Sequence, residues 1–121
     1  MQRDMDLIRA ILLKLEEHPH GFAPNQLEIE GFTREQVGFH AALMHQAGLI
    51  DAAKVTAISD LSPSAVALSI TWEGYEFLAA SKNEGNWKKG TSSVMAKAGA
   101  IGFDVLKAVL TAEIRRQVGL P

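Results

Sequence analysis

The stretch that decides the fold is Phe39-His40-Ala41-Ala42-Leu43-Met44-His45-Gln46-Ala47-Gly48-Leu49-Ile50. Upstream of it, Thr33 and Gln36 have the spacing of a capping box, in which two side chains satisfy free backbone N–H groups at a helix start. Gly48 supplies the stop at the other end, because glycine readily adopts the left-handed conformation that often follows a helix. These signals predict a helix from Thr33 to Ala47.

Another helix is predicted upstream, between Asp4 and His18. Its apolar residues recur at helical spacing, with charged residues on the opposite face: Met5, Ile8, Ile11, Leu12 and Leu15. The run His18-Pro19-His20-Gly21 ends this helix, since proline disfavours helical geometry in the residue before it. Between the two helices, Leu27-Glu28-Ile29 alternates apolar and acidic residues, which predicts a short strand.

A β-hairpin and a third helix are predicted downstream. Two strand-like segments, 54–58 and 65–70, flank the polar turn Ser59-Asp60-Leu61-Ser62-Pro63-Ser64. Thr71 can cap a following helix over 72–80, whose apolar residues are expected to pack onto the core: Trp72, Tyr75, Phe77, Leu78 and Ala79. The predicted order is helix, short strand, helix, hairpin, helix, which is an α+β arrangement.

Two motifs resemble those of small bacterial winged-helix regulators. Residues 39–50 resemble a recognition helix that closes on Ala-Gly-Leu before the wing. The second motif resembles a wing strand and the following helix, with the pattern Leu-Thr, two variable residues and Gly: Leu68-Ser69-Ile70-Thr71-Trp72-Glu73-Gly74-Tyr75-Glu76-Phe77-Leu78. The resemblance implies a winged-helix fold with a β-hairpin wing. One departure is that residues 21–32 offer a loop and a short strand where helix-turn-helix proteins place a full helix.

The chain as a whole, including Arg3-Asp4-Met5-Asp6-Leu7-Ile8-Arg9 and Trp87, is similar to an uncharacterised bacterial and prophage family, domain of unknown function 2513. This resemblance implies a winged-helix fold and a bacterial or phage origin. It carries no activity and no catalytic residues, and a fold alone does not supply a function.

The charge distribution predicts a two-part chain, with a winged-helix domain over 1–81 and a helical extension over 82–121. The first part holds five basic and eleven acidic residues, a net charge of −6, whereas the second holds seven and three, a net charge of +4. We expect the extension to dock on the acidic body or on a second subunit, with Trp87 as an anchor. A last helix, about 103–118, has an apolar side suited to homodimer formation: Leu106, Val109, Leu110 and Ile114.

The predicted recognition helix suggests a surface for double-stranded DNA. At about 100° per residue, one side of the helix is expected to face outward, and with Lys54 of the wing it forms the candidate DNA contact: Arg34, Gly38, Ala42, His45 and Gln46. The charge count opposes this reading, since Arg34 and Lys54 stand against Glu35, Asp51 and Asp60. The first prediction is therefore a nucleic-acid-binding or transcription-regulatory protein. The alternative is a protein-protein interaction module that uses the same fold without DNA.

Composition excludes several other classes. The 121 residues include no cysteine, which excludes disulfides, thiolate metal sites and cysteine nucleophiles, and permits a reducing cytoplasmic location. Charged residues within positions 1–20 predict neither a signal peptide nor a membrane span. His40 and His45 point to different sides of their helix, so His40 is expected in the core and no metal or cofactor is expected. No nucleophile–base constellation or phosphate-binding glycine loop is evident, which predicts a non-enzyme.

Overall fold

The computed structural model describes residues 1–24, 27–83, 85, 87 and 88. The chain divides into two compact units, Met1–Tyr75 and Glu76–Pro121, and each is described here by itself. The predicted helix over 103–118 and the predicted self-association residues fall outside the described residues: Leu106, Val109, Leu110 and Ile114.

The described residues form three helices and a two-stranded antiparallel sheet, so the predicted α+β class is confirmed. The elements are α1 (Met5–Glu17), α2 (Arg34–Gln46), β1 (Ile50–Lys54), β2 (Ala65–Ile70) and α3 (Trp72–Ser81). Among these elements, no helix has the length and apolar character needed to cross a membrane.

Helices α1 and α2 each begin at a capping side chain, of which the capping box of α2 was predicted. At the start of α1, the Asp4 carboxylate accepts hydrogen bonds from the backbone N–H groups of Asp6 and Leu7, at 2.9 and 3.2 Å. At the start of α2, the capping box of Thr33 and Gln36 is complete. The apolar stripe of α1 is buried as its periodicity predicts: Met5, Leu7, Ile8, Ile11, Leu12 and Leu15.

His40 lies in the core, as predicted, and it also joins these two helices. Its side chain is 1% exposed, and its Nε2 accepts a hydrogen bond from the Asp4 backbone N–H at 2.8 Å. Its Nδ1 lies 2.8 Å from the Gln36 carbonyl oxygen. Because Nε2 accepts, Nδ1 carries the hydrogen and donates to Gln36, which identifies the tautomer from its partners.

The hairpin begins earlier than predicted. The strand predicted over 54–58 is wrong: β1 occupies Ile50–Lys54 and pairs with β2 from Ile50 opposite Ile70 to Lys54 opposite Ala65. The reason is burial, since Leu49 and Ile50 are each only 1% exposed and fix the chain against the core directly after α2. Residues 55–58 are instead exposed and belong to the connecting loop.

The strand predicted at Leu27-Glu28-Ile29 is also wrong, because these residues have no strand structure. The Ile29 carbonyl accepts from the Phe32 N–H at 3.2 Å, so the backbone is committed to a turn before α2. Among residues 18–24 and 27–33 of this connection, one backbone hydrogen bond reaches β2, from the Ala23 N–H to the Leu68 carbonyl at 2.8 Å. Alternation of apolar and acidic residues is therefore not sufficient for a strand, which also needs a series of hydrogen bonds to a neighbouring strand.

Helix α3 starts against the junction between α2 and β1. The Thr71 N–H donates to the Leu49 carbonyl at 3.1 Å, and Thr71 Oγ1 accepts from the Gly74 N–H at 3.1 Å, so the predicted cap is confirmed. A Cβ atom at Gly74 would collide with the Leu49 carbonyl oxygen. Trp72, Tyr75 and Ala79 are exposed, so the prediction that they pack onto the core is wrong; the first turn of α3 faces the core with Gly74 instead.

In the second unit, α3 ends in a buried aromatic contact. Phe77 and Leu78 are fully buried, and the Phe77 and Trp87 rings meet edge to face with centroids 6.0 Å apart. The Trp87 N–H donates to the Asn83 carbonyl at 2.9 Å. Trp87 is therefore a buried residue of this unit.

The contact at Gly74 yields the first prediction. Alanine normally favours a helix over glycine by about 1 kcal/mol, but here its methyl group overlaps a backbone carbonyl. We expect Gly74→Ala to lower the free energy of unfolding by about 1–3 kcal/mol in urea melts. The control is Gly21→Ala, where a Cβ meets no atom within 4 Å and a change below about 1 kcal/mol is expected. A neutral Gly74→Ala would contradict the close contact.

The His40 contacts yield the second prediction. Replacing His40 with leucine keeps a side chain of similar volume but leaves the Asp4 N–H without its partner and removes the side-chain bond to the Gln36 carbonyl. We expect His40→Leu to cost about 1–3 kcal/mol of stability. The exposed His20 provides the matched control, for which His20→Leu should change the unfolding free energy by less than about 0.5 kcal/mol. Equal effects of the two substitutions would argue against the bridge.

Candidate functional site

The residues predicted to contact DNA lie in different settings. Arg34 is exposed in the first turn of α2 and forms an ion pair with Glu28 at 3.3 Å. His45 and Gln46 are exposed at the other end of α2, and His45 Nδ1 lies 3.2 Å from the Ile50 carbonyl oxygen. Lys54 is exposed at the end of β1. Gly38 and Ala42 are buried, so the prediction that they face outward is wrong.

The reason for this correction is the close approach of the hairpin to α2. A Cβ atom at Gly38 would collide with the Oγ atom of Ser64, and Ser64 is the residue just before β2. Gly38 and Ala42 are four positions apart and share one helix face. Because both residues are small, the hairpin can pack closely against α2 inside the first unit. They are not available for contact with a ligand.

The loop between β1 and β2 is held by its own hydrogen bonds. Asp60 Oδ2 accepts from the Ala57 N–H at 2.7 Å, and the Asp60 N–H donates to the Ala57 carbonyl at 3.0 Å. The Ser64 N–H donates to Thr56 Oγ1 at 2.9 Å, and the Val55 N–H donates to the Ser64 carbonyl at 3.0 Å. These bonds at both the tip and the base of the loop define its shape.

The loop is also tied to the start of α2. Ser62 Oγ donates to Glu35 Oε1 at 2.9 Å, and an open cleft of about 420 Å³ runs between Arg34, Glu35 and residues 59–64. We call Arg34, Glu35 and residues 55–64 together the loop–helix surface. It joins the two elements that the sequence associated with DNA, the predicted recognition helix and the predicted wing.

The most unusual feature of the loop–helix surface is a pair of exposed aliphatic side chains. Ile58 and Leu61 are essentially fully exposed, at 108% and 95% of the reference area, and Val55 is half-exposed. Sequence reasoning missed both residues, because Ile58 was assigned to a strand and Leu61 to a polar turn. The available signal was the presence of two large aliphatic residues in a segment otherwise typical of a turn.

The charges of this surface are mixed. Arg34 is already paired with Glu28, and Lys54 lies at the base of the loop, while Glu35 and Asp60 contribute negative charge. A surface that neutralises several phosphates requires an excess of Lys and Arg. That excess is missing from the loop–helix surface as the described residues form it.

The described residues do not bring metal-ligating side chains together. They contain no group of three or more His, Cys, Asp or Glu side chains placed to hold a metal ion. Every buried side-chain nitrogen or oxygen in the described ranges has a hydrogen-bond partner. His18 and His20 lie with ring centroids 5.7 Å apart, but both are in the turn after α1 and neither is buried.

Comparisons with known proteins give a family match and a relative of similar length. The family described as "Hypothetical protein (DUF2513)" matches residues 2–100. A protein of Haemophilus influenzae with the name "Uncharacterized protein" is 33% identical over 117 residues, which cover 90% of this chain and 92% of that protein. No solved structure matches the chain.

Proposed function

We propose that this chain, which belongs to the DUF2513 family of hypothetical proteins, is a protein-binding module that contacts its partner through the loop–helix surface. The observation that carries the proposal is the complete exposure of Ile58 and Leu61 on a loop with a defined, hydrogen-bonded shape. The proposal takes up the alternative that the sequence left open, a protein-interaction module.

The energetics of such a loop favour a protein partner. Full burial of an Ile or Leu side chain is worth about 1.5–3 kcal/mol. Because Asp60 and Thr56 already order the loop, binding costs less conformational entropy than it would for a flexible loop. Glu35 and Asp60 form a polar rim around the apolar tip, which suits a partner that presents an apolar pocket beside Lys or Arg side chains.

The proposal predicts contact at the tip of the loop. A photo-reactive amino acid placed at Leu61 should give a discrete cross-linked product with another protein in cells that express the chain naturally. The double substitution Ile58→Ser with Leu61→Ser should weaken the purified complex at least tenfold, since it removes both apolar anchors. Stability should change by less than about 0.5 kcal/mol per site, because both side chains are exposed.

Phe22 provides the matched control, as an exposed aromatic residue outside the loop–helix surface. The same photo-reactive group at Phe22 should not give that product, and Phe22→Ser should leave the complex unchanged. The absence of a product at Leu61, or the same product from both positions, would count against the proposal.

DNA binding is the second candidate function. We interpret the order α1, α2, β1, β2, α3 as a reduced winged helix, in which α2 would be the recognition helix and the hairpin the wing. The observation that favours it is that α2 runs directly into the hairpin while Arg34, His45, Gln46 and Lys54 are exposed. In this reading the protein is a transcription regulator of bacterial or phage origin.

A DNA titration separates the two functions. Because the loop–helix surface is not cationic, we expect no change in fluorescence anisotropy when a labelled mixed-sequence duplex is titrated with the protein at low salt. Salt-sensitive binding that Arg34→Glu with Lys54→Glu abolishes would establish the second candidate instead. The control is Lys14→Glu, which changes an exposed cation of α1.

A further inference from the structure

The loop between β1 and β2 contacts α2 at two points. At the base of the loop, Ser64 lies so close to Gly38 that a Cβ atom there would collide with the serine hydroxyl oxygen. Nearer the tip, Ser62 Oγ donates a hydrogen bond to Glu35 Oε1 at 2.9 Å. Glu35 and Gly38 are three positions apart, so they lie on the same side of the helix. One side of α2 therefore supports the returning arm of the loop.

The bond from Ser62 differs from the other hydrogen bonds of the loop. The bonds between Asp60 and Ala57 close the tip, and they stay within the loop. Of the hydrogen bonds that residues 55–64 form with the described part of the chain, the one from Ser62 is the one that reaches α2. The inner bonds give the loop its shape, whereas the Ser62 bond sets the angle between the tip and the helix.

We propose that the hydrogen bond between Ser62 and Glu35 positions the apolar tip for the protein partner. Ser62 and Glu35 are then positioning residues of the loop–helix surface, which act on binding through Ile58 and Leu61. This inference rests on the proposed function, because it concerns how the same surface holds its partner.

The position of Leu61 explains why this bond matters. Leu61 directly precedes Ser62 and is 95% exposed, so the direction of its side chain follows the placement of Ser62. An open cleft of about 420 Å³ lies between the loop and the start of α2, which leaves the loop room to move once the bond is removed. A loop with several orientations presents its two apolar side chains correctly for only part of the time, and the apparent affinity falls by that fraction.

Glu35 has two properties that substitutions can separate. Its carboxylate accepts the bond from Ser62, and it also carries a negative charge. Glu35→Gln keeps an oxygen acceptor and removes the charge, whereas Glu35→Ala removes both. A positioning role depends on the acceptor, while a direct ionic contact with the partner depends on the charge.

The first measurement uses the full chain with a photo-reactive amino acid at Leu61, in cells that express the chain naturally. We expect Ser62→Ala and Glu35→Ala each to lower the yield of cross-linked product about three- to tenfold, the range that one intramolecular hydrogen bond supports. The two alanine substitutions together should lower it no further, because they remove the same bond. Ser62→Thr and Glu35→Gln should restore most of the yield. The control Ser59→Ala removes a hydroxyl from the same loop and should change nothing.

The second measurement needs no partner. Because the chain contains no cysteine, Leu61→Cys provides a single site for a nitroxide spin label. We expect Ser62→Ala to narrow the spectrum of this label, as the tip becomes more mobile. A label at Phe22→Cys, outside the loop–helix surface, should give the same spectrum with and without Ser62→Ala. Urea melts should show the same midpoint for both chains, which separates positioning from a loss of overall stability.

Separate results would overturn this inference and the proposed function. A discrete product whose yield is the same in all variants, or rises in the alanine variants, would overturn the positioning role and leave the proposed function standing. A loss in Glu35→Gln equal to that in Glu35→Ala would assign Glu35 to an ionic contact instead. An unchanged label spectrum would also count against the positioning role. The absence of any product from the unmodified chain would overturn the proposed function, and this inference with it.

Discussion

His40 accepts a hydrogen bond from the Asp4 N–H and donates one to the Gln36 carbonyl, and the arrangement of the first unit depends on this pair of bonds. Asp4 also caps α1 with its carboxylate, so one residue fixes both the start of α1 and its attachment to α2. Because His40 is buried, losing its imidazole would leave the half-buried Asp4 N–H without a partner where the two helices meet. The position of α2 in turn decides where the hairpin can lie.

Local signals predicted the helices well because helix ends are set by nearby residues. The capping box of Thr33 and Gln36, the stop at Gly48 and the periodicity of α1 all depend on positions a few residues apart. The membership of the DUF2513 family was also predictable from the sequence. The position of β1 was not, because it depends on burial of Leu49 and Ile50 against residues distant in the sequence. The same limit explains Leu27-Glu28-Ile29, whose alternation predicted a strand that lacks a pairing partner.

The candidate site was predictable only in part, for a related reason. Periodicity correctly placed Arg34, His45 and Gln46 on the exposed side of α2. It failed at Gly38 and Ala42, because a helical wheel does not reveal which element approaches a helix. Small residues permit approach by a ligand or by the protein's own backbone, and at Gly38 the neighbour is Ser64. The exposure of Ile58 and Leu61 depends on the same placement, since the loop bonded to Glu35 directs its tip away from the core.

The packing of the hairpin on α2 has a consequence for function. It buries Gly38 and Ala42, the two small residues of α2 that would otherwise allow a DNA backbone to come close. It leaves apolar side chains exposed at the loop tip and on the outer face of the sheet. Exposed aliphatic groups gain free energy when a partner removes them from water, whereas phosphate groups require cations. Arg34 is paired to Glu28, and residues 1–81 carry a net charge of −6; these charges support our proposal that the chain binds a protein partner.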